Sequence, residues 1–325
     1  MRSQENSSLK LLELVPQERL DRWLTEFYGH PVNIIKREVL RHRDLSYVER
    51  IWIADSLPSS IIYKLVAPPW DIEKDILEWV LIPSISNSAQ LYLAAHYGPM
   101  IALFLEDLGK QSLVNVGNPK IAGILGKDLA KMHRAYIYRV DELMRAGVLR
   151  TITPIDYTSL TETLIKQLKV WRLIINKDEI ALQKLASKIA SQLAREPISL
   201  VHGDYYAENV ILHNERLSVI DWSWFTFIGV PLLDLATITS AHTKNGNFNR
   251  FKHEVIEAYC DESARHMSDV IALLPYAEAL SRLLFLQWLV EKKSRGLEGT
   301  IVGPINDLIL QVVQEVISYN KVGLL

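Results

Sequence analysis

Residues 200–212 read Leu-Val-His-Gly-Asp-Tyr-Tyr-Ala-Glu-Asn-Val-Ile-Leu, and residues 217–222 read Leu-Ser-Val-Ile-Asp-Trp. Between them lies the polar turn His213-Asn214-Glu215-Arg216. Two short apolar, β-rich pieces around such a turn predict a hairpin, with Val210 to Leu212 facing Ser218 to Ile220. The hairpin would bring Asn209 and Asp221 together at its open end although twelve positions separate them. Their side-chain oxygens then suit a single hard cation. Asp204, five residues before Asn209, adds a carboxylate beside the same point. Any one of these residues is an ordinary turn former; it is the grouping that signals a site.

Outward from this island the two halves of the chain differ in period. Towards the N-terminus, Leu20, Trp23, Leu24 and Phe27 recur at helical spacing within Pro16 to Phe27. Three β-rich stretches follow, Val32 to Leu40, Tyr47 to Ala54 and Ser60 to Val66, separated by turn formers. A helix over Asp71 to Leu81 precedes two further strands, Gln90 to Ala95 and Met100 to Leu105, broken at Gly98-Pro99. Beyond Gly109 the pattern becomes helical: Ile121, Leu125, Leu129, Met132 and Tyr136 share one face. Further helical patterns cover Ser159 to Ile174, Asp178 to Ala194, Phe251 to Tyr259, Tyr276 to Lys292 and Ile305 to Tyr319. There is no internal repeat and no low-complexity tract.

His202-Gly203-Asp204 with Asn209, then Val219-Ile220-Asp221-Trp222, then Gly229-Val230-Pro231-Leu232-Leu233-Asp234-Leu235-Ala236 resemble the aminoglycoside phosphotransferase and choline kinase superfamily. Leu103 to Gly109 is similar to that family's hinge and Leu129-Ala130-Lys131-Met132-His133 to its first large-lobe helix, so the resemblance runs through most of the chain in order. It implies an α+β, bilobed protein-kinase-like fold with a small antiparallel N-terminal sheet and a mainly helical C-terminal lobe. The lobes are expected at 1–106, binding a nucleotide, and 107–325, carrying the catalytic loop, metal site and acceptor pocket. The implied cofactors are ATP or GTP and Mg2+.

By the same resemblance Asp204 is the catalytic residue that receives the substrate hydroxyl's hydrogen bond, and Asn209 and Asp221 bind magnesium. Lys64 would contact the inner phosphates as a compact cation. Glu73 is its expected partner, with Glu78 as fallback. Backbone groups of Glu106, Asp107 and Leu108 would meet the nucleobase. The turn Arg41 to Ser46 lacks the glycines many kinases use to cradle phosphate, which leaves Ser46 as the candidate there. His133, His202 and Asp234 read as structural supports.

Composition narrows the partners. The net charge of −2 lacks the cationic excess that extended nucleic-acid binding needs. Apolar residues at 49% and charged residues at 23% are ordinary for a globular protein. Met1 to Lys10 has no export-signal pattern, no apolar run is long enough to cross a bilayer, and Cys260 stands alone. These features predict a cytoplasmic protein without membrane or nucleic-acid partners, a monomer or homodimer acting on a small-molecule hydroxyl. The acceptor expected from the resemblance is an aminoglycoside-like antibiotic, amino sugar or amino alcohol. Its surface is expected among residues after Ala236, where Asp261, Glu262, Asp269, Glu278 and Glu291 mingle with Lys and Arg. The rival reading is a catalytically silent binding or structural protein, as among spore-coat relatives.

Overall fold

The computed structural model describes residues 14–43, 45–297 and 304–321. Met1 to Lys10 and Asp44 of the Arg41 to Ser46 turn, both read above, lie outside the described residues.

Strands β1 (Ile34–His42), β2 (Ser46–Ile53), β3 (Ser60–Val66), β4 (Leu91–Tyr97) and β5 (Met100–Glu106) form an antiparallel sheet in the order β1-β2-β3-β5-β4. The period of two along β3 and β5 sorts the side chains. Ile61, Tyr63 and Leu65 join Ala102 and Phe104 beneath the first helix, Gln17–Tyr28, which contributes Leu20, Trp23 and Leu24. Val66, Leu103 and Leu105 face the other way, and Lys64, opposite Leu103 in the ladder, shares that face. Alternation alone thus aims one lysine into the interior side of the sheet.

The helix expected over Asp71 to Leu81 is an α-turn, Ile72–Asp75, that widens into a π-helical turn, Ile76–Val80. The Leu81 amide reaches back to the Ile76 carbonyl at 3.0 Å. Tyr136, wholly buried on the helix Pro119–Ile137, closes the end of this element. Its hydroxyl donates to the Val80 carbonyl at 3.1 Å and accepts from the Ile82 amide at 2.9 Å. One phenol therefore ties the connection between the sheet and the helices.

The helical part holds the large core, built on Pro119–Ile137, Asp156–Val170, Asn176–Leu193, Lys252–Ser263, Met267–Ser294 and Ile305–Ser318. A methyl group on Gly126 would lie 2.3 Å from the Val255 carbonyl, so the first and fourth of these helices pack at backbone distance. The sequence reading gave no helix at Val140–Ala146 or Leu232–Thr239, and it began Met267–Ser294, which runs through Pro275, only at Tyr276. A proline breaks helix periodicity locally, but Val270 on one side of it and Ala277 and Leu280 on the other are all fully buried, and packing keeps the helix continuous.

The β-island at Ile198 to Ile220 divides. β6 (Ser199–Val201) pairs with β9 (Phe227–Gly229), while β7 (Val210–His213) and β8 (Arg216–Val219) form the expected hairpin about Asn214-Glu215. Among the described residues no helix is long and apolar enough to cross a membrane.

Removing the Tyr136 hydroxyl strands an amide and a carbonyl in the interior. Tyr136→Phe should lower unfolding free energy by ~1–3 kcal/mol in urea titration; no change would show that water replaces the phenol.

Candidate active site

The loop that carries Asp204 begins where β6 ends. Asp234, fully buried near the start of the helix Leu232–Thr239, accepts from the amides of His202 and Gly203, each at 2.8 Å. Its Oδ2 also meets His133 Nε2 at 3.3 Å, and His133 Nδ1 lies 3.1 Å from the Tyr259 hydroxyl. His202 spends its ring on the Ile220 carbonyl at 3.0 Å and the Asp204 amide at 3.2 Å. Both histidines are interior braces. Gly203 adopts φ +79°, and a Cβ there would fall 2.2 Å from the Phe225 carbonyl, so only glycine lets the loop pass.

Asp204, Asn209 and Asp221 come together. Asn209 donates from Nδ2 to the Asp204 carbonyl at 2.9 Å and to Asp204 Oδ2 at 3.0 Å, which leaves its amide oxygen for another partner. Asp221 sits just past β8 with φ +65°, a left-handed conformation that Asp tolerates better than most residues. Its Oδ1 lies 2.5 Å from Lys64 Nζ and its Oδ2 lies 3.4 Å from Arg41 Nη1. Glu73 Oε2 is also 2.5 Å from Lys64 Nζ, while Glu78 pairs instead with Lys74 at 2.8 Å. Lys64 thus joins the sheet, the helix after it and the segment that leaves the β7–β8 hairpin.

Burial opposes the charge on each member of this group. Burial works against the Lys64 ammonium, yet Asp221 and Glu73 together outweigh it and hold its pKa above the ordinary lysine value. Asp221, opposed by burial but flanked by Lys64 and Arg41, is held well below the usual carboxylate range. Glu73 goes the other way, pushed up to about 7 by burial, with the Lys64 ammonium pulling against it.

Two cavities meet at this group. The smaller, about 300 Å³, lies between Val48, Ile62 and Leu105 of the sheet and Ile211, Val219 and Ile220 of the hairpin. Glu106 and Leu108 line its edge. The Glu106 amide is spent on the Gln90 carbonyl and the Leu108 carbonyl on His213 Nδ1. Asp107 turns away, its carboxylate on Arg50 Nε at 2.7 Å and on the Gly109 amide at 3.0 Å. The larger cavity, about 500 Å³, is lined by Ser46, Arg43 and Asp204 and runs on to Trp288 and Lys292. Arg41, Lys64, Glu73, Asn209 and Asp221 line both.

A profile of the phosphotransferase enzyme family matches residues 85–269. The chain belongs to this family. No curated protein matches the sequence. Solved structures of similar fold include an ethanolamine kinase from Plasmodium vivax, at 13% identity over 87% of this chain and 82% of that one, TM-score 0.62. ADP-bound aminoglycoside phosphotransferase APH(2'')-Ib is 16% identical over 94% and 98% of the two chains, TM-score 0.60. A choline/ethanolamine kinase family protein from Mesorhizobium loti is 14% identical over 91% and 90%, TM-score 0.60. The fold is therefore that of kinase-like phosphotransferases, including strands β1 to β3 of the small sheet, which precede the matched residues.

Within this phosphotransferase fold, the cleft contains residues that sequence reasoning missed. Lys244 Nζ lies 3.0 Å from both oxygens of Asp204 and 3.3 Å from Glu208. It is held there by its buried neighbour Asn245, which accepts from the Ala207 amide at 2.9 Å and donates to the Thr237 carbonyl at 2.8 Å. No local spacing announces a contact across forty positions. Arg41 was noted only as part of a turn. The acids expected near the acceptor are not among the residues lining either cavity: Glu262 pairs with Arg134, and Glu291 pairs with Arg295 while its charge also acts on Arg150 of the larger cavity.

The raised Glu73 pKa makes a signed prediction. In the unfolded chain the group titrates near 4.5 and in the folded one near 7, so the folded state holds an extra proton between these values. Glu73's contribution to stability is fully present below pH 4.5 and lost as pH rises through 7. Urea unfolding of wild type against Glu73→Gln should show wild type losing ground across that window; a constant difference would mean that Glu73 is charged throughout.

Proposed function

We propose that this protein transfers the terminal phosphoryl group of ATP or GTP, with Mg2+, to a hydroxyl of a small molecule in the cytoplasm. The observation that supports this most is the meeting of Asp204, Asn209 and Asp221 with the Lys64–Glu73 pair where the two cavities join.

The donor set fits the metal. Among the described residues no cluster of three or more His, Cys, Asp or Glu stands ready for an ion. Mg2+ does not need one, since it commonly takes one or two protein oxygens and completes its shell with phosphate and water. Asn209 Oδ1 and the Asp221 carboxylate are the oxygens this chain offers. Bound there, Mg2+ would neutralise charge on the phosphate oxygens.

The chain's own residues supply position and field. The apolar walls of the smaller cavity take the nucleobase, and backbone groups of Glu106 and Leu108 at its edge meet it. Lys64 and Arg41 face the phosphates, with Arg43 and Ser46 at the turn where glycines are lacking; cations there take the place of bare backbone amides. Asp204 accepts the hydrogen bond of the attacking hydroxyl. As the acceptor oxygen bonds to the terminal phosphorus, the bridging bond to the nucleoside diphosphate breaks and the hydroxyl proton passes to Asp204. Lys244 fixes that carboxylate and offsets its charge against the incoming phosphate. Amino sugars and amino alcohols are the acceptors suggested by resemblance, and the charge lining the larger cavity argues for another class, developed below.

Mg2+ with ATP or GTP should raise the melting temperature, and Asp221→Ala should abolish the rise, since a ligand bound only to the native state must stabilise it. No nucleotide-dependent rise in wild type would favour the silent binding protein. On a hydroxyl compound returned by a transfer screen, Asp204→Asn should keep the nucleotide-dependent rise and lower kcat by ~10²–10⁴-fold; retention of full activity would remove Asp204 from the chemistry.

A further inference from the structure

The larger cavity continues past Asp204 towards the helix Met267–Ser294, and its lining changes character on the way. Seven Lys and Arg side chains line the whole cavity against four Asp and Glu. All four acids already stand within ion-pair reach of a lysine of the cleft: Glu73 and Asp221 at Lys64, Asp204 and Glu208 at Lys244. The far end carries Arg150, Arg282 and Lys292, and the acids nearest them stand behind the lining, Glu291 acting on Arg150 and Glu278 sharing Tyr319 with Arg282. His242, also there, is pushed down to about 4 by burial, with Arg282 and Lys244 adding to the effect, and is neutral at physiological pH.

These cations stand among aromatic rings. The Arg150 guanidinium lies 3.8 Å from the Trp224 ring centroid, and its Nε is buried with no hydrogen-bond partner. Burial lowers Arg150 to about 10, which leaves it charged at neutral pH. Trp224 packs on Trp288 at 5.0 Å, and Trp288 on Phe225 at 5.9 Å and Trp70 at 5.1 Å. Stacked on an aromatic face, a guanidinium keeps its edge donors available for a planar or tetrahedral oxyanion. A cationic amine brought to this end would meet the like charges of Arg150 and Arg282 in a partly enclosed cavity, where screening by solvent is weak.

We propose that the acceptor is an anion, a hydroxyl compound bearing a carboxylate or phosphate-like group on an aromatic or apolar body, with the hydroxyl at Asp204 and the anionic group at Arg150 and Arg282. This rests on the reading of Asp204 as the residue that receives the acceptor hydroxyl, and it replaces the amino sugar or amino alcohol suggested by resemblance. The body lies along Trp288 and Phe225, and the length of the cavity sets the distance between its two polar ends.

Probes that differ only in charge test it. The full-length protein is titrated by calorimetry with 4-(hydroxymethyl)benzoate, 4-(hydroxymethyl)phenylphosphonate, methyl 4-(hydroxymethyl)benzoate and 4-(aminomethyl)benzyl alcohol. At least one of the two anions should bind about ten-fold or more tightly than the ester and the amine, and which of them leads tells carboxylate from phosphate-like. Arg150→Gln and Arg282→Gln should each reduce that preference, and Arg150→Lys, which keeps the charge, should retain part of it; melting curves confirm that each variant is folded. Anions that bind no more tightly than the amine, including no binding at all, overturn the proposal, as does a preference that survives both glutamine variants. Because binding is read without nucleotide, a failure here leaves the nucleotide-dependent melting rise intact, whereas a failure of the phosphotransfer reading removes that rise and not the charge preference.

Discussion

A lysine ammonium held between two carboxylates on separate elements is the contact on which this architecture turns. Lys64 belongs to the sheet, Glu73 to the helix that follows it and Asp221 to the hairpin of the helical part. Burying three charges is unfavourable in itself and is tolerated only when their geometry is tightly held. Here Lys64 is set by the alternation of β3, and Asp221 by the turn out of β8 in a left-handed conformation that few residues accept. Arg41 adds a second cation at Asp221, so the cluster is poised to exchange one ionic partner for another. In the proposed reaction a polyphosphate and its cation would be such partners: phosphate oxygens would draw Lys64 and Arg41, and a cation would take the Asp221 carboxylate they now hold.

Much of this was legible in the chain, for definite reasons. Ile61 to Val66 has the period of a strand buried on both faces with a lysine on one of them. His202 to Asn209 and the turn at Asn214-Glu215 are local in sequence, so spacing alone brought Asn209 near Asp221. What was not legible depends on contacts between distant segments. The pairing of β6 with β9 joins strands nearly thirty residues apart, and the helix through Pro275 persists because Val270 and Leu280 are buried by neighbours on other helices. Lys244 lies in a 3₁₀ segment without periodicity, and its place beside Asp204 is set by Asn245 reaching the Ala207 amide.

The acceptor end shows the same division between inherited scaffold and particular chemistry. The fold places Asp204 at the floor of a cleft whose far wall is built from helices, and fold likeness at 13–16% identity carries no information about that wall. Sequence position put the acceptor surface after Ala236, where acids mingle with Lys and Arg. In three dimensions the phase of the helix Met267–Ser294 leaves Asp269, Glu278 and Glu291 out of the cavity lining and directs Arg282, Trp288 and Lys292 into it. Substrate choice in such a site follows from which face of one long helix turns inward, a property of packing rather than of composition.

The claim at the centre of this account is that Asn209 and Asp221 grip one divalent cation beside the phosphate that faces Asp204. Crystals grown with Mn2+ and a non-hydrolysable ATP analogue, examined by anomalous scattering at the manganese edge, test it most directly. The account predicts one strong peak bridging Asn209 Oδ1 and an Asp221 carboxylate oxygen, with the terminal phosphate turned to Asp204 and the base between Ile62 and Ile211. A manganese peak elsewhere, or a bound analogue with Asp221 still on Lys64 and no metal at its other oxygen, would contradict it.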